Sequence, residues 1–216
     1  MKYFIGVLPI VLIILLFIFF DREKSNKKKI LYFLLFIFGM IGSYITYRVE
    51  NKVGSYFPEM VDMNYLMVFI YAIFGVAIYE EGVKLFFLFL LTLKEKYKKD
   101  FSWIVLSVIC SMGYACFENI VFYIMNGSIG VAFIRMFTSI PSHMCFAIVM
   151  GELFSKYKNT GKFKYLILSL IVPSLIHAFY NTFLYKGWEF GRVISFSYLI
   201  LLFCFSIFRC YKLIDR

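Results

Sequence analysis

Three ionisable residues share one stretch of otherwise apolar sequence, Glu80-Glu81-Gly82-Val83-Lys84. On a helix Lys84 lies three and four residues after the carboxylates, so its ammonium can pair with either on one face. Phe117-Glu118-Asn119, His143, and His177 with Asn181 four residues later follow in separate apolar runs. Together these groups hold what hydrolysis of a peptide bond requires: a carboxylate to deprotonate water, donors for an oxyanion, and an acid for the leaving amine. Glu81 is the preferred base, although spacing alone does not separate it from Glu80. His143 and His177 can polarise a carbonyl or orient water, and Asn181 can donate to the oxyanion or to His177.

A metal reading stands beside this one. Two histidines and a carboxylate can hold zinc with a fourth position open, which makes Glu118, His143 and His177 alternative ligands. The zinc-protease helix with two histidines flanking a glutamate on adjacent turns is missing, so no metal is assigned and zinc remains an alternative.

These groups are costly where they sit. The chain is 62% hydrophobic and 22% aromatic over 216 residues, well above a soluble domain. Seven apolar runs can be drawn, at 3–20, 30–47, 65–93, 101–125, 129–154, 163–185 and 190–208. Most are long enough to cross a hydrocarbon core of about 30 Å as helices, and the alternation expected of barrel strands is absent. The expected architecture is an all-α polytopic transmembrane bundle of about seven spans, a single integral membrane domain over 1–216 with its catalytic core at about 65–185. The first run lacks a small-residue cleavage site and is read as a retained helix. An ionised side chain at mid-bilayer costs at least about 2.5 kcal/mol on insertion scales, so the buried cluster calls for partners or a water-filled cavity.

Charge between the runs gives the orientation. Arg22, Lys24 and Lys27 to Lys29, then Lys94, Lys96, Lys98 and Lys99, then Lys156, Lys158, Lys162 and Lys164 mark three cytoplasmic connections. Connections with Arg48, Glu50, Lys52, Glu59 and Asp62, with Asn126 to Ser128, and with Lys186, Glu189 and Arg192 then face outward. The amino terminus is expected outside and the carboxyl terminus in the cytoplasm. The net charge of +10 is thus a topology signal, and nucleic acid is excluded as a partner. No phosphate-binding glycine loop is present, which argues against a nucleotide-driven pump. The five cysteines, in apolar runs without metal-type spacing, read as reduced packing residues.

At these residues the chain resembles the PrsW family of intramembrane proteases, relatives of the prenyl-protein endopeptidases. The resemblance rests on Glu80-Glu81-x-x-Lys84, Phe117-Glu118-Asn119, His143 with Gly151 eight residues later, and His177-x-x-x-Asn181, in the family's order. It implies a glutamate-dependent protease of a bacterial plasma membrane with Glu80, Glu81, Glu118, His143 and His177 as catalytic residues and Lys84, Asn119 and Asn181 in support. It further implies cleavage of a single-pass membrane substrate, an anti-sigma factor, at an extracytoplasmic site, which frees a sigma factor in envelope signalling.

Two other functions fit the same residues: a proton-coupled transporter using them as a relay, and a prenyl-peptide endopeptidase or immunity protein of the wider superfamily. Those relatives carry an arginine one position beyond Lys84, so the spacing favours the first reading. A purely structural role for Glu80, Glu81 and Lys84 would be a buried ion pair fixing helix register. Arg135 is read as snorkelling to the surface, Glu152 as solvated, Trp103 and Trp188 as interface anchors, and Pro141 and Pro173 as kinks.

Overall fold

The computed structural model describes residues 2–23, 25–57, 63–126, 129–186 and 189–214, with side chains of 2–6, 122–126, 132, 189 and 190 excepted. Glu59, Asp62, Trp188 and the 127–128 connection therefore lie outside the described residues, as do the side chains of Asn126 and Glu189. The described elements are helical: α1 (Lys2–Phe20), α2 (Asn26–Gly54), α3 (Tyr65–Tyr71), a π-helical segment (Ala72–Ala77), α4 (Ile78–Leu91), α5 (Asp100–Asn126), α6 (Ile129–Phe137), α7 (Ser139–Thr160), α8 (Phe163–Tyr185) and α9 (Glu189–Leu213). Among the described residues, six helical stretches are long and apolar enough to cross a membrane, and Val7–Phe20 forms a shorter apolar helix. The chain is a polytopic helical membrane protein.

Local chemistry fixes the ends. Ser25 and Asn64 cap α2 and α3, their side-chain oxygens accepting from Lys28 N at 3.1 Å and Met67 N at 2.9 Å. The third span is interrupted by the π segment, whose extra residue turns everything after it by about 100° about the axis. This rotation decides which way Glu80 and Glu81 project. The fifth span breaks at Thr138, and Pro141 sits in the first turn of α7, where its missing amide proton has no helical partner to lose. Pro173 lies inside α8, which continues through it.

α5 is the axis of the bundle. Of its spanning window 78% is buried, against 28% for α9, which leaves α5 enclosed and α9 facing lipid. A Cβ on Gly39 would fall 2.1 Å from the Cys110 carbonyl oxygen, and one on Gly113 only 2.0 Å from that of Phe36. The α2 and α5 backbones therefore touch through two glycines, the small-residue contact that lets membrane helices approach. Gly151 does the same for α7 against Ile104 of α5.

Several expectations are corrected here. α2 runs to Gly54, so Arg48, Glu50 and Lys52 belong to the helix rather than to a connection. Lys28, counted as a loop charge, is fully buried and paired with Asp21 at 2.6 Å. Trp103 is buried in the core against Phe154 instead of anchoring at an interface, because α5 has no lipid-facing side there. Glu152 is ion-paired with Lys156 and Arg209. Among the cysteines, Cys110, Cys116, Cys145 and Cys210 are buried free thiols and Cys204 is exposed.

Candidate active site

Four spans deliver their ionisable groups to one continuous chain of contacts. From α4, Lys84 Nζ donates to Glu81 Oε1 at 2.8 Å and lies 3.5 Å from Glu80 Oε2. The same ammonium reaches His143 Nδ1 of α7 at 3.3 Å and sits 4.2 Å from the centroid of the Tyr114 ring of α5. His143 Nε2 meets Glu118 Oε2 of α5 at 2.7 Å, and Glu118 Oε1 lies 3.1 Å from Arg135 of α6. In the other direction, His177 Nδ1 of α8 lies 3.0 Å from Glu81 Oε1, and Asn181 Nδ2 lies 3.0 Å from His177 Nε2. Asn181 Nδ2 also donates to Tyr185 OH at 3.1 Å. Asn119 accepts from Arg135 Nε at 2.7 Å.

The proton pattern follows from the partners. An ammonium has no lone pair, so His143 Nδ1 accepts from Lys84 and its Nε2–H donates to Glu118. A carboxylate oxygen only accepts, so His177 donates through Nδ1 to Glu81 and accepts at Nε2 from the Asn181 amide. Both imidazoles are thus neutral with opposite tautomers. Their rings are 5.9 Å apart, and His177 stacks on Phe146 at 4.6 Å, which fixes its plane. Ser111 Oγ donates to the His143 carbonyl at 3.0 Å, tying α7 to α5 at this level.

Glu81 is fully buried, Lys84 1% exposed and Glu80 5% exposed. Among the described residues, Glu80 Oε2 and Glu81 Oε2 nevertheless have no hydrogen-bond partner. One carboxylate oxygen each from Glu80 and Glu81 and one ring nitrogen of His143 lie within 4.8 Å of one another and could share one metal ion. The ligand set expected from sequence, Glu118, His143 and His177, does not form such a group among the described residues; His177 instead turns Nδ1 to Glu81 and Nε2 to Asn181. Two carboxylates and an imidazole are suitable ligands for a catalytic zinc ion, and the orphaned oxygens are what an ion would satisfy. The residues fit a metal in kind and place. Lys84 Nζ lies within 3.5 Å of all three side chains, so its ammonium competes with an ion for the same donors.

Three residues in or beside the site were given no part in it from sequence. Arg135 turns inward to Glu118, Asn119 and Ser139 instead of snorkelling outward. Its signal was Ser139, four residues on and hence on the same helical face. Tyr114 packs under Lys84 and shares a 2.5 Å hydrogen bond with Thr46. Glu50 faces a cavity shared with Glu80 and Glu118. The helical spacing of Ser43, Tyr47 and Glu50 was the readable sign, obscured because the apolar run stops at 47.

Residues 27–208 match the profile of the PrsW family intramembrane metalloproteases. The chain belongs to the PrsW family. It is 31% identical to "Protease PrsW" of Oceanobacillus iheyensis over 191 residues, 87% of this chain and 85% of that one. It is 27% identical to "Protease PrsW" of Clostridioides difficile over 219 residues, 94% and 89% of the two chains. "Protease PrsW" of Bacillus subtilis is 26% identical over 169 residues, 75% and 71% of the two. No solved structure matches the chain. Family membership makes this a membrane-embedded protease, and an intramembrane protease of this family acts on a membrane-protein substrate within the bilayer.

Proposed function

We propose that the protein is a glutamate-dependent intramembrane endopeptidase of a bacterial plasma membrane. It makes the first, extracytoplasmic cut in a single-pass anti-sigma factor and so starts the release of a sigma factor. The single observation that supports this most is the convergence on Glu81: one carboxylate oxygen is held by Lys84 and His177 while the other, buried, has no partner among the described residues and is free to take a proton from water. The charge pattern of the connections supports an outside amino terminus, which puts Glu118, Asn181 and Tyr185 in the outer half of the bundle.

Glu81 is assigned as the base, with Glu80 beside it to receive or return a proton. His177 holds Glu81 in orientation, and Asn181, freed from His177 by a substrate carbonyl, donates to the oxyanion. His143, held by Glu118, orients the water or polarises the carbonyl, while a general base such as Glu81 contributes roughly 10²–10⁴ in rate. Lys84 keeps the paired carboxylates together, and Asn119 fixes Arg135 on Glu118. With a divalent ion on Glu80, Glu81 and His143, the chemistry supplied would be Lewis acidity toward water and the carbonyl. The catalytic core is placed at 65–185.

The test is co-expression with tagged single-pass anti-sigma factors from the same genome, comparing the parent with Glu81→Gln and His177→Ala at equal membrane abundance. Loss of one specific extracytoplasmic cut in both variants is the expected outcome. Unchanged processing in both would overturn the assignment.

A further inference from the structure

Glu50 has no place in the cluster described above, yet it is not a surface residue. It lies in the last turns of α2, with Ser43 and Tyr47 seven and three residues before it, spacings that put all three on one helical face. That face lines a cavity of about 40 Å³ whose other walls include Glu80, Tyr114 and Glu118. Three carboxylates from three helices thus border one small space, between the ionisable cluster and the end of the bundle that carries the α2–α3 connection.

The partners do not balance. Glu50 Oε1 and Glu80 Oε2 are both buried, and among the described residues both lack a hydrogen-bond partner. Glu80 Oε2 has the Lys84 ammonium at 3.5 Å, too far for a good hydrogen bond, and the other oxygen has nothing comparable. Buried polar atoms in folded proteins are almost always paired with protein or with ordered water. One water requires roughly 10–15 Å³ of such volume, so the cavity takes about three. The unpartnered oxygens of Glu50 and Glu80 on its walls are acceptors that such waters can satisfy.

We infer that this cavity is the store of hydrolytic water for the active site, and that Glu50 is a positioning residue that orders water there against Glu80. The inference rests on the hydrolytic reading above and adds to it the route by which water reaches a site enclosed by lipid-facing helices. Each turnover consumes one water: its hydroxyl adds to the carbonyl carbon, the C–N bond breaks, and its proton passes through a carboxylate to the departing amine. The store is refilled past Glu50, the carboxylate nearest the end of α2.

Hydroxyl-radical footprinting of the full-length protein in nanodiscs reads bound water without any substrate. Tyr114, 2% exposed but beside the cavity, is expected to oxidise several-fold faster than Trp103, fully buried in the core. Glu50→Leu removes an unpartnered carboxylate, so the fold should be retained, which thermal unfolding checks. In that variant Tyr114 oxidation falls to the Trp103 level and kcat drops at least tenfold with KM unchanged. Glu50→Gln, which still bonds water, recovers most of both.

Equal oxidation of Tyr114 and Trp103 in the parent, or full labelling and kcat in Glu50→Leu, would overturn the inference. Failure of the protease reading looks different: Glu81→Gln would then leave processing intact, whatever the footprint shows.

Discussion

His177 and Glu81 lie 96 residues apart in sequence, and His177 Nδ1 donates to Glu81 Oε1 at 3.0 Å, the same oxygen that accepts from Lys84 at 2.8 Å. One carboxylate oxygen is thereby saturated by two helices while the other is left open. If that asymmetry orients the base, the two residues act as a unit, and effects of such units are not additive. Glu81→Gln and His177→Ala are each expected to lower kcat/KM by at least about 100-fold, with the double variant no worse than the poorer single. Additive losses, measured on a purified substrate segment, would show that the residues act independently.

Arg135 and Glu118 form the outer end of the chain of contacts, with side chains 16% and 21% exposed. Removing the arginine leaves Glu118 with His143 alone as its donor among the described residues and takes one donor from Asn119 Oδ1. Arg135→Ala is expected to cost about 1–3 kcal/mol in unfolding free energy, less than the loss of one partner from a fully buried pair. Arg135→Lys should restore only part of this, because one ammonium cannot reproduce the forked contacts to Glu118, Asn119 and Ser139. Thermal unfolding in matched detergent decides it, and equal stability of all three proteins would contradict the role.

How much of this was legible beforehand depends on the range of the interaction. The expected pairing of Lys84 with Glu80 and Glu81 is local, set by helical spacing, and the structure shows both contacts. Hydropathy likewise showed the spans, since each is an uninterrupted stretch of sequence. Whether His177 turns toward Glu81 or toward His143 was not readable, because it depends on how α8 packs against α4. The π segment was equally invisible: it follows from packing of the third span and rotates Glu80 and Glu81 by one residue's worth of helix. Arg135 and Trp103 were misplaced for a shared reason, that hydropathy gives depth along the membrane normal but not which side of a helix faces lipid.

Gly113 and Gly82 make a contrasting pair of substitutions. A methyl on Gly113 would overlap the Phe36 backbone at 2.0 Å, and backbone cannot step aside. Gly113→Ala should force α2 and α5 apart, at a cost of about 1–3 kcal/mol and loss of the Tyr114 contact to Thr46. Gly82, although inside the Glu80–Lys84 motif, has nothing nearer than a Leu170 methyl at 3.8 Å. Gly82→Ala should be neutral or stabilising by about 0.5–1 kcal/mol, since glycine weakens a helix interior. The reverse order of stabilities would mean that the motif glycine serves a contact absent from this structure.

Lys84 and a divalent ion cannot occupy the same ground. The ammonium is within 3.5 Å of Glu80, Glu81 and His143, whose donor atoms form the group able to share a metal. An ion settling there must displace the ammonium toward Tyr114, and its affinity is reduced by whatever that displacement costs. Lys84→Met keeps the stem and removes the charge, leaving two carboxylates with no cation between them. The variant is expected to bind zinc at least tenfold more tightly than the parent in a direct titration, with about one ion per chain. Glu80→Gln in the Lys84→Met background should abolish the gain. If Lys84→Met instead binds zinc no better than the parent, the ion and the ammonium do not share a place, and the metal of this family would have to sit on other residues of the chain.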